Sequence, residues 1–115
     1  MSRSPQEVFA AHGAALASAD LPGLLLDYSD DAVLLATDGP RRGREEIGQF
    51  FAAALRALPD ATFQARAAVF DGDALLLVWS ADSASARITD AVDTFVFADG
   101  LIRLQTTAFT LQATS

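Results

Sequence analysis

Asp93 is the side chain of this sequence best placed for acid–base chemistry in an apolar setting. It lies within residues 86–98, whose composition predicts a long β-strand. Because side chains alternate between the two faces of a strand, Asp93 shares its face with Phe95 and Phe97. If that face is the interior and the carboxyl has no partner there, burial raises its pKa and leaves a neutral acid that can donate a hydrogen bond. The alternative is that the Val92 face points inward, which leaves Asp93 exposed or engaged in a structural hydrogen bond.

His12 is the only histidine and a second candidate for proton transfer. In the predicted first helix it lies on the same face as Phe9 and Leu16, at three- and four-residue steps. An imidazole on that face can donate to a ligand oxygen or act as a base near neutral pH. The alternative is a half-buried histidine bonded to a neighbour. The hydroxyl of Tyr28 is a candidate partner, since a buried tyrosine hydroxyl needs one.

Aromatic side chains are candidates for the walls of a ligand pocket. Those on the predicted elements that surround the interior are Tyr28, Phe51, Phe63, Trp79, Phe95 and Phe109. Pockets for flat or lipophilic ligands are lined mainly by such residues. Each of them can equally be ordinary core packing, so the sequence leaves both interpretations open.

The chain is acidic, with a formal net charge of −7. Such a surface repels phosphate backbones, so we expect no nucleic-acid partner. A local basic run precedes the predicted third helix and consists of Arg41, Arg42 and Arg44. Positive charge near a helix start can hold an anion, and a solvated loop is the alternative.

Composition excludes several kinds of site. There is no cysteine, which removes disulfides, zinc–thiolate sites and iron–sulfur clusters. A glycine-rich phosphate loop and a pair of histidines at metal spacing are also absent, so we expect no metal and no cofactor. No apolar run approaches the ~18 residues of a membrane span. No signal peptide is visible, so we expect a cytoplasmic protein without membrane attachment.

Three helices are predicted in the N-terminal half. Ser4 and Glu7 supply the N-cap and the glutamate of a capping box, and this helix is predicted to run to about Ala19. A second, short helix is predicted over residues 21–28. The third runs from about residue 43 to residue 58 and is stopped by the proline that follows.

The rest of the chain predicts strands. They are residues 32–36, 62–70, 74–81, 86–98 and 101–112, with turns at 37–40, 71–73 and 99–100. Long strands in a small domain bend, because a curved sheet can wrap helices packed on one face. The predicted fold class is therefore α+β. In one domain, residues 1–115, three N-terminal helices pack in a strongly curved, mostly antiparallel sheet that forms a cone or half-barrel around an apolar pocket.

Three segments carry a resemblance to a known superfamily. They are residues 14–32, residues 43–51, and residues 90–97 with 99–102. In order and spacing they resemble the nuclear transport factor 2-like superfamily, which includes ketosteroid isomerases and SnoaL-like polyketide cyclases. The resemblance implies a cone-shaped fold over nearly the whole chain. It also implies that Asp93 corresponds to the buried acid with which ketosteroid isomerases stabilise an oxyanion, and that His12 replaces their oxyanion-binding tyrosine.

The first predicted strand departs from that pattern. Where ketosteroid isomerases carry a proton-shuttling aspartate, this sequence has Ala36, and Asp38 follows two residues later. Because Asp38 precedes Gly39 and Pro40, it is predicted to stabilise its own turn. A shifted turn, which would bring Asp38 into the site, is the alternative. A true steroid isomerase is therefore not expected.

Two functions remain open from the sequence. The first is a pocket that binds a small apolar molecule, with acid–base chemistry of the isomerase, cyclase or hydratase type carried by Asp93 and His12. The second is a non-catalytic dimeric module whose pocket is filled by its own side chains. In either case we expect a homodimer, because Val92, Val96 and alternate residues of 75–78 leave apolar surface on the outer sheet face that needs cover.

Overall fold

The first helix begins at the predicted capping box. In the computed structural model, which describes residues 2–114, the Ser4 hydroxyl accepts a hydrogen bond from the Glu7 N–H at 3.1 Å. The Glu7 carboxylate in turn accepts from the Ser4 N–H at 2.8 Å. These bonds satisfy two N–H groups that a helix start leaves unpaired. The helix ends at Ala17, because Ala19 takes a left-handed φ of +53°, so the predicted end at Ala19 is too late.

The chain folds as α+β, with three helices and a curved, unclosed sheet, as predicted. The helices are α1 (Pro5–Ala17), α2 (Leu21–Leu25) and α3 (Gly43–Ala57). The strands are β1 (Tyr28–Ala36), β2 (Gly39–Arg42), β3 (Thr62–Asp71), β4 (Ala74–Asp82), β5 (Ala86–Ala98), β6 (Leu101–Ala108) and β7 (Gln112–Ala113). The sheet order is β2-β1-β6-β5-β4-β3, with β7 paired to β5; β1 and β6 are parallel and the other pairs antiparallel. The terminal residues of the predicted domain, Met1 and Ser115, lie outside the described residues.

The segment around Tyr28 is a strand and not the end of a helix. The Asp20 carboxylate caps α2, but this helix is complete at Leu25. Tyr28 then pairs with Ile102 in β6, and the Ile102 N–H donates to the carbonyl of Asp27 at 2.7 Å. The prediction of a helix to Tyr28 is therefore wrong. Pairing with a distant strand decides the structure of residues whose local propensity is weak.

Two further segments pair differently from the prediction. Residues 37–40, predicted as a turn, run into the short strand β2, which pairs antiparallel with β1. The last long strand ends at Ala108 and not at Gln112. After a break, Gln112 and Ala113 form β7 against the start of β5. Because β7 pairs with the same strand as β6 and in the same antiparallel direction, the C-terminal segment resumes along β5 after the break.

Shifts of pairing register accompany the curvature of the sheet. They occur in the β1–β6, β3–β4, β4–β5 and β5–β6 pairs, and such irregularities bend a strand and increase its twist. The inner face of the sheet and the three helices bury a shared core. Its buried members include Val8, Leu24, Leu34, Ile47, Leu75, Phe95 and Ile102. Burial of each such side chain contributes about 1.5–3 kcal/mol. Among the described residues, no helix has the length and apolar character needed to cross a membrane.

Candidate functional site

A cavity of about 320 Å³ lies between the inner face of the sheet and helices α1 and α3. Most of its wall is apolar and includes Phe9, Leu16, Phe50, Leu55, Leu58, Leu77 and Ile88. The polar side chains of the wall are His12, Gln64, Trp79, Asp93, Gln105 and Thr107. Small-molecule sites commonly have this form, an apolar cavity with a few convergent polar groups.

Asp93 is the centre of the polar group. Its side chain is buried on the inner face of β5, so the predicted inward placement is confirmed. The Trp79 indole N–H donates to Asp93 Oδ1 at 2.9 Å, and the Thr107 hydroxyl donates to the same oxygen at 2.7 Å. The Gln105 amide donates to Asp93 Oδ2 at 2.9 Å. These donors come from β4 and β6, the strands on either side of β5.

Gln105 connects this cluster to Tyr28. The Tyr28 hydroxyl donates to Gln105 Oε1, which directs the amide nitrogen toward Asp93. Burial raises the pKa of Tyr28 well above its ordinary value, and the charge of Asp93 adds to the effect, so the hydroxyl keeps its proton. A chain of hydrogen bonds therefore runs from Tyr28 through Gln105 to Asp93 and holds the carboxylate in one orientation.

The protonation of Asp93 is governed by opposing effects. Burial raises the pKa of its carboxyl above the ordinary value, while the hydrogen bonds from Trp79, Thr107 and Gln105 act to lower it. The pKa is raised as predicted, but the condition of a carboxyl without partners is not met, because three donors surround it, an arrangement that suits a carboxylate. A carboxylate oxygen accepts about two hydrogen bonds. Oδ2 accepts one from the protein, so this atom keeps capacity for a ligand.

His12 lines the same cavity, and its Nδ1 has no hydrogen-bond partner within the described part of the chain. The residue is 3% exposed and lies against the rings of Phe95, Phe51 and Tyr28, at centroid separations of 5.4, 6.0 and 6.1 Å. Burial lowers the pKa of His12 to about 4, so the imidazole is neutral at pH 7. The candidate hydrogen bond between His12 and Tyr28 does not form. The Tyr28 hydroxyl donates to Gln105 instead.

Four of the predicted pocket aromatics line the cavity, namely Phe51, Phe63, Trp79 and Phe109. The other two, Tyr28 and Phe95, are fully buried behind the wall. There they contact residues that do line the cavity: Tyr28 binds Gln105, and Phe95 packs against His12. Their contribution to the site is therefore to support the side chains in front of them.

Gln105 and Thr107 are the two hydrogen-bond partners of Asp93 that were not predicted from the sequence. Simple alternation from the buried Ile102 puts both on the outer face of the sheet. The register of β6 against β5 shifts at Arg103, and this bulge returns Gln105 and Thr107 to the inner face. Thr107 then lies directly opposite Asp93. Two polar residues at positions i and i+2 indicate a shared polar face of β6. Whether that face is the inner one can be decided only when the register of β6 against β5 is known.

Asp38 lies outside this cavity. The Arg41 guanidinium pairs with both of its carboxylate oxygens, at 3.0 and 3.1 Å, so Asp38 stabilises its own turn as predicted. Another member of the basic run, Arg44, donates to the Tyr28 carbonyl at 2.9 and 2.6 Å and pairs with Asp30 at 2.7 Å. These arginines hold chain segments together, which does not support a shared anion site.

The arrangement suits an organic ligand with an oxygen function. Among residues 2–114, no group of three or more histidine, aspartate or glutamate side chains is close enough to hold a metal ion. The cavity offers a carboxyl with a raised pKa and a neutral imidazole, both within apolar walls. A carboxylate can accept a proton, and a neutral imidazole can donate or accept a hydrogen bond. The site can therefore move a proton on a molecule that carries a carbonyl or hydroxyl group.

Comparison with known proteins agrees with this architecture. A family model described as a SnoaL-like domain matches residues 9–105. No curated protein matches the sequence significantly. An NTF2-like protein of unknown function from Cytophaga hutchinsonii superposes with a TM-score of 0.78 at 13% identity, and the match covers 96% of this chain and 93% of that protein.

Other solved structures of similar shape carry functional names. IdmH, a candidate polyketide cyclase from Streptomyces antibioticus, has a TM-score of 0.77 at 19% identity, with 93% of this chain and 92% of IdmH covered. A candidate ketosteroid isomerase from Kribbella flavida has a TM-score of 0.77 at 15% identity, and the match covers 92% of this chain and 77% of that protein. At these identities the likeness establishes the fold alone.

His12→Leu is expected to remove part of the acid sensitivity of the fold. The folded-state pKa is about 4 against 6.5 in the unfolded chain, so the unfolded state binds a proton first and stability is lost as the pH falls from 6.5 to 4. The loss from this group is about 3 kcal/mol. The raised pKa of Asp93 has the opposite effect on the pH dependence of stability, but this effect is the same in the native protein and in His12→Leu. Urea unfolding across this pH range should therefore show a steeper decline for the native protein, and parallel curves would contradict a buried neutral His12.

Proposed function

Since this chain belongs to the SnoaL-like domain family of the NTF2-like superfamily, we propose that its cavity binds a small apolar molecule bearing a carbonyl or hydroxyl oxygen. The supporting observation is that Asp93 and His12 line one apolar cavity, and that the buried Nδ1 of His12 has no partner within the described chain. A buried polar atom without a partner costs about 1–3 kcal/mol. A ligand that hydrogen-bonds to His12 offsets that cost, and its apolar body covers the walls.

Asp93 is proposed to be the acid–base group of a cofactor-independent enzyme. Its Oδ2 takes a proton from the carbon next to the ligand carbonyl, the C–H bond breaks, and the electron pair forms a C=C bond as the oxygen gains enolate character. His12, neutral at pH 7, donates a hydrogen bond to that oxygen. The protonated Asp93 then returns the proton to a different atom of the ligand. This sequence is an isomerisation. In a molecule with a second carbonyl, the enolate carbon can instead attack that carbonyl and close a ring, and the protonated Asp93 then gives its proton to the new alkoxide.

The environment of Asp93 supports the role of a base. Burial raises its pKa, and a general base is most effective when its pKa approaches the working pH. Trp79, Thr107 and Gln105 hold the carboxylate without occupying all of Oδ2. Because Ala36 stands where ketosteroid isomerases carry a proton-shuttling aspartate, Asp93 would take the proton itself. The names of the neighbours, polyketide cyclase and ketosteroid isomerase, agree with proton transfer next to a carbonyl.

Neutral ring ketones are expected to quench the fluorescence of Trp79, which is the only tryptophan and lines the cavity. Suitable probes of increasing length are 1-tetralone, flavanone and androst-4-en-3-one. Saturable quenching should be accompanied by a rise in the thermal midpoint, since a ligand at about a hundred times its Kd stabilises a fold by about 2.7 kcal/mol. If none of the three ketones quenches Trp79 or raises the midpoint, the proposal of a ketone-binding cavity is wrong.

Asp93→Asn is expected to keep ketone binding and to abolish proton transfer. The asparagine oxygen can still accept from Trp79 and Thr107. Gln105 can reverse its amide to accept from the new NH₂ group, and the Tyr28 oxygen then accepts from the Gln105 amide nitrogen. The base is lost, so exchange of the protons next to the ketone carbonyl with D₂O, followed by NMR, should fall by about 10²–10⁴-fold. The matched control is Asp90→Asn, an exposed aspartate on the same strand, which should leave exchange unchanged. Equal exchange rates in the Asp93 variant and the native protein would refute the role of Asp93.

We also propose that two copies of the chain pair through the outer face of the sheet. Val69, Leu76 and Val92 are 58%, 45% and 42% exposed and belong to three neighbouring strands. Leu76 lies opposite Val69 in one strand and opposite Thr94 in the other. A contiguous apolar area of this kind on an uncovered sheet face is typical of an interface. A dimer is compatible with catalysis, and the open cavity is an argument against the alternative of a filled pocket.

Leu76→Glu is expected to convert a dimer into a monomer, because it places a charge in the middle of the proposed interface, where its desolvation is unfavourable. Light scattering coupled to gel filtration at micromolar concentration measures the mass directly. The control is Leu26→Glu, which changes a leucine that is 68% exposed elsewhere on the surface and should leave the mass unchanged. A native protein that elutes as a monomer contradicts the proposal without any variant.

A further inference from the structure

A second cavity of about 430 Å³ adjoins the first. The two cavities share wall residues, namely Phe50, Ala54, Leu58 and Phe109. We call them the inner cavity, which contains Asp93, and the outer cavity. The outer wall adds exposed side chains, including Asp38, Gln49 and Leu111, so this cavity opens to solvent. The shared residues show that the two cavities are adjacent, so a molecule long enough to occupy both would lie across this common wall.

Arg41 is the one cation in the wall of the outer cavity, counting the residues that the structure describes, and it is held in place from several sides. Its Nη1 and Nη2 atoms donate to the two carboxylate oxygens of Asp38 at 3.0 and 3.1 Å, and Nη1 also donates to the Gly39 carbonyl at 3.1 Å. The guanidinium carbon lies 5.5 Å from the centre of the Phe50 ring, in a cation–π contact. Because Phe50 lines both cavities, Arg41 is held beside the wall that they share.

The hydrogen bonds of Arg41 leave part of the guanidinium available. A guanidinium has five N–H groups, and the bonds to Asp38 and Gly39 use three of them. Within residues 2–114, the remaining two N–H groups make no hydrogen bond. The charge of Arg41 is balanced by Asp38 at bonding distance, so the position favours a neutral oxygen acceptor over an anion. A hydroxyl, ketone or ether oxygen fits this description.

We propose that the outer cavity is a second subsite for the same ligand, in which Arg41 binds a neutral oxygen at the far end of the molecule. This inference rests on the proposed function of the inner cavity. The substrate class is then narrower than any apolar ketone: an elongated, largely apolar molecule with one oxygen function near Asp93 and His12 and another at the opposite end. Arg41 is a specificity-determining residue and takes no part in the proton transfer.

The test compares two probes that differ only at the far end, flavanone and 4′-hydroxyflavanone. Titration calorimetry of the native protein should show about tenfold tighter binding of the hydroxylated compound, the gain typical of one hydrogen bond to a charged group. Arg41→Met keeps an unbranched aliphatic side chain at this position and removes the guanidinium donors, together with their cation–π contact to Phe50. This variant should bind flavanone as the native protein does and lose the gain for 4′-hydroxyflavanone. The matched control, Arg56→Met, changes an exposed arginine outside both cavities and should retain the gain.

Asp38→Asn tests the charge balance independently. It removes the carboxylate that is paired with Arg41, so binding of 4′-carboxyflavanone should rise relative to 4′-hydroxyflavanone. If flavanone binds but the hydroxyl gives no gain, or if the gain survives Arg41→Met, the outer subsite is refuted while the inner cavity stands. If the two neutral flavanones fail to quench Trp79, the inner site does not accept such ketones, and the outer subsite falls with it. An unchanged preference in Asp38→Asn would refute the selection for neutral oxygen.

Discussion

The burial of the Asp93 carboxylate is the constraint on which the rest of the site depends. Removing an ionised carboxylate from water costs several kcal/mol, and here donors from both neighbouring strands offset that cost. The donors reach Asp93 only when β4 and β6 both keep the register in which Leu77 and Thr107 lie opposite it. A slip of one residue in either strand would turn the donors to the outer face. The carboxylate therefore favours one register for the three central strands of the sheet.

The same requirement extends to β1 and to the helices. Gln105 presents its amide nitrogen to Asp93 because Tyr28 binds the amide oxygen, so the parallel pairing of β1 with β6 belongs to the same network. Helix α1 brings His12 against the rings of Tyr28 and Phe95, and these rings fill the space behind the polar groups. Hydrogen bonds are stronger in such a poorly polarisable environment. The polar groups thus lie at the boundary between a packed interior and an open cavity, which is where a ligand can reach them.

Features that depend on neighbours along the chain could be predicted from the sequence, and features that depend on strand register could not. The capping box of Ser4 and Glu7 and the inward face of Asp93 follow from spacings of a few residues, and the structure confirms both. Gln105 was missed because a single bulge reverses the face of a strand, and no residue type marks that bulge. The local sequence predicts a helix at Tyr28, because its strand partner lies far away in the sequence. The open cavity depends in the same way on how distant segments pack, so only some of its lining residues could be named, and its volume could not be predicted.

The two cavities are subject to different physical constraints. The shared fold at 13–19% identity, with TM-scores of 0.77 to 0.78, shows that most side chains of this architecture can be replaced. Replacing a member of the Asp93 cluster leaves a buried polar group without its partner, so stability and the proposed chemistry change together. Asp38 is exposed and Arg41 only half-buried, and substitutions at such positions usually alter stability little. If the outer cavity binds the far end of the ligand as proposed, substitutions in β2 and α3 can change substrate specificity while the inner site keeps the proposed proton transfer.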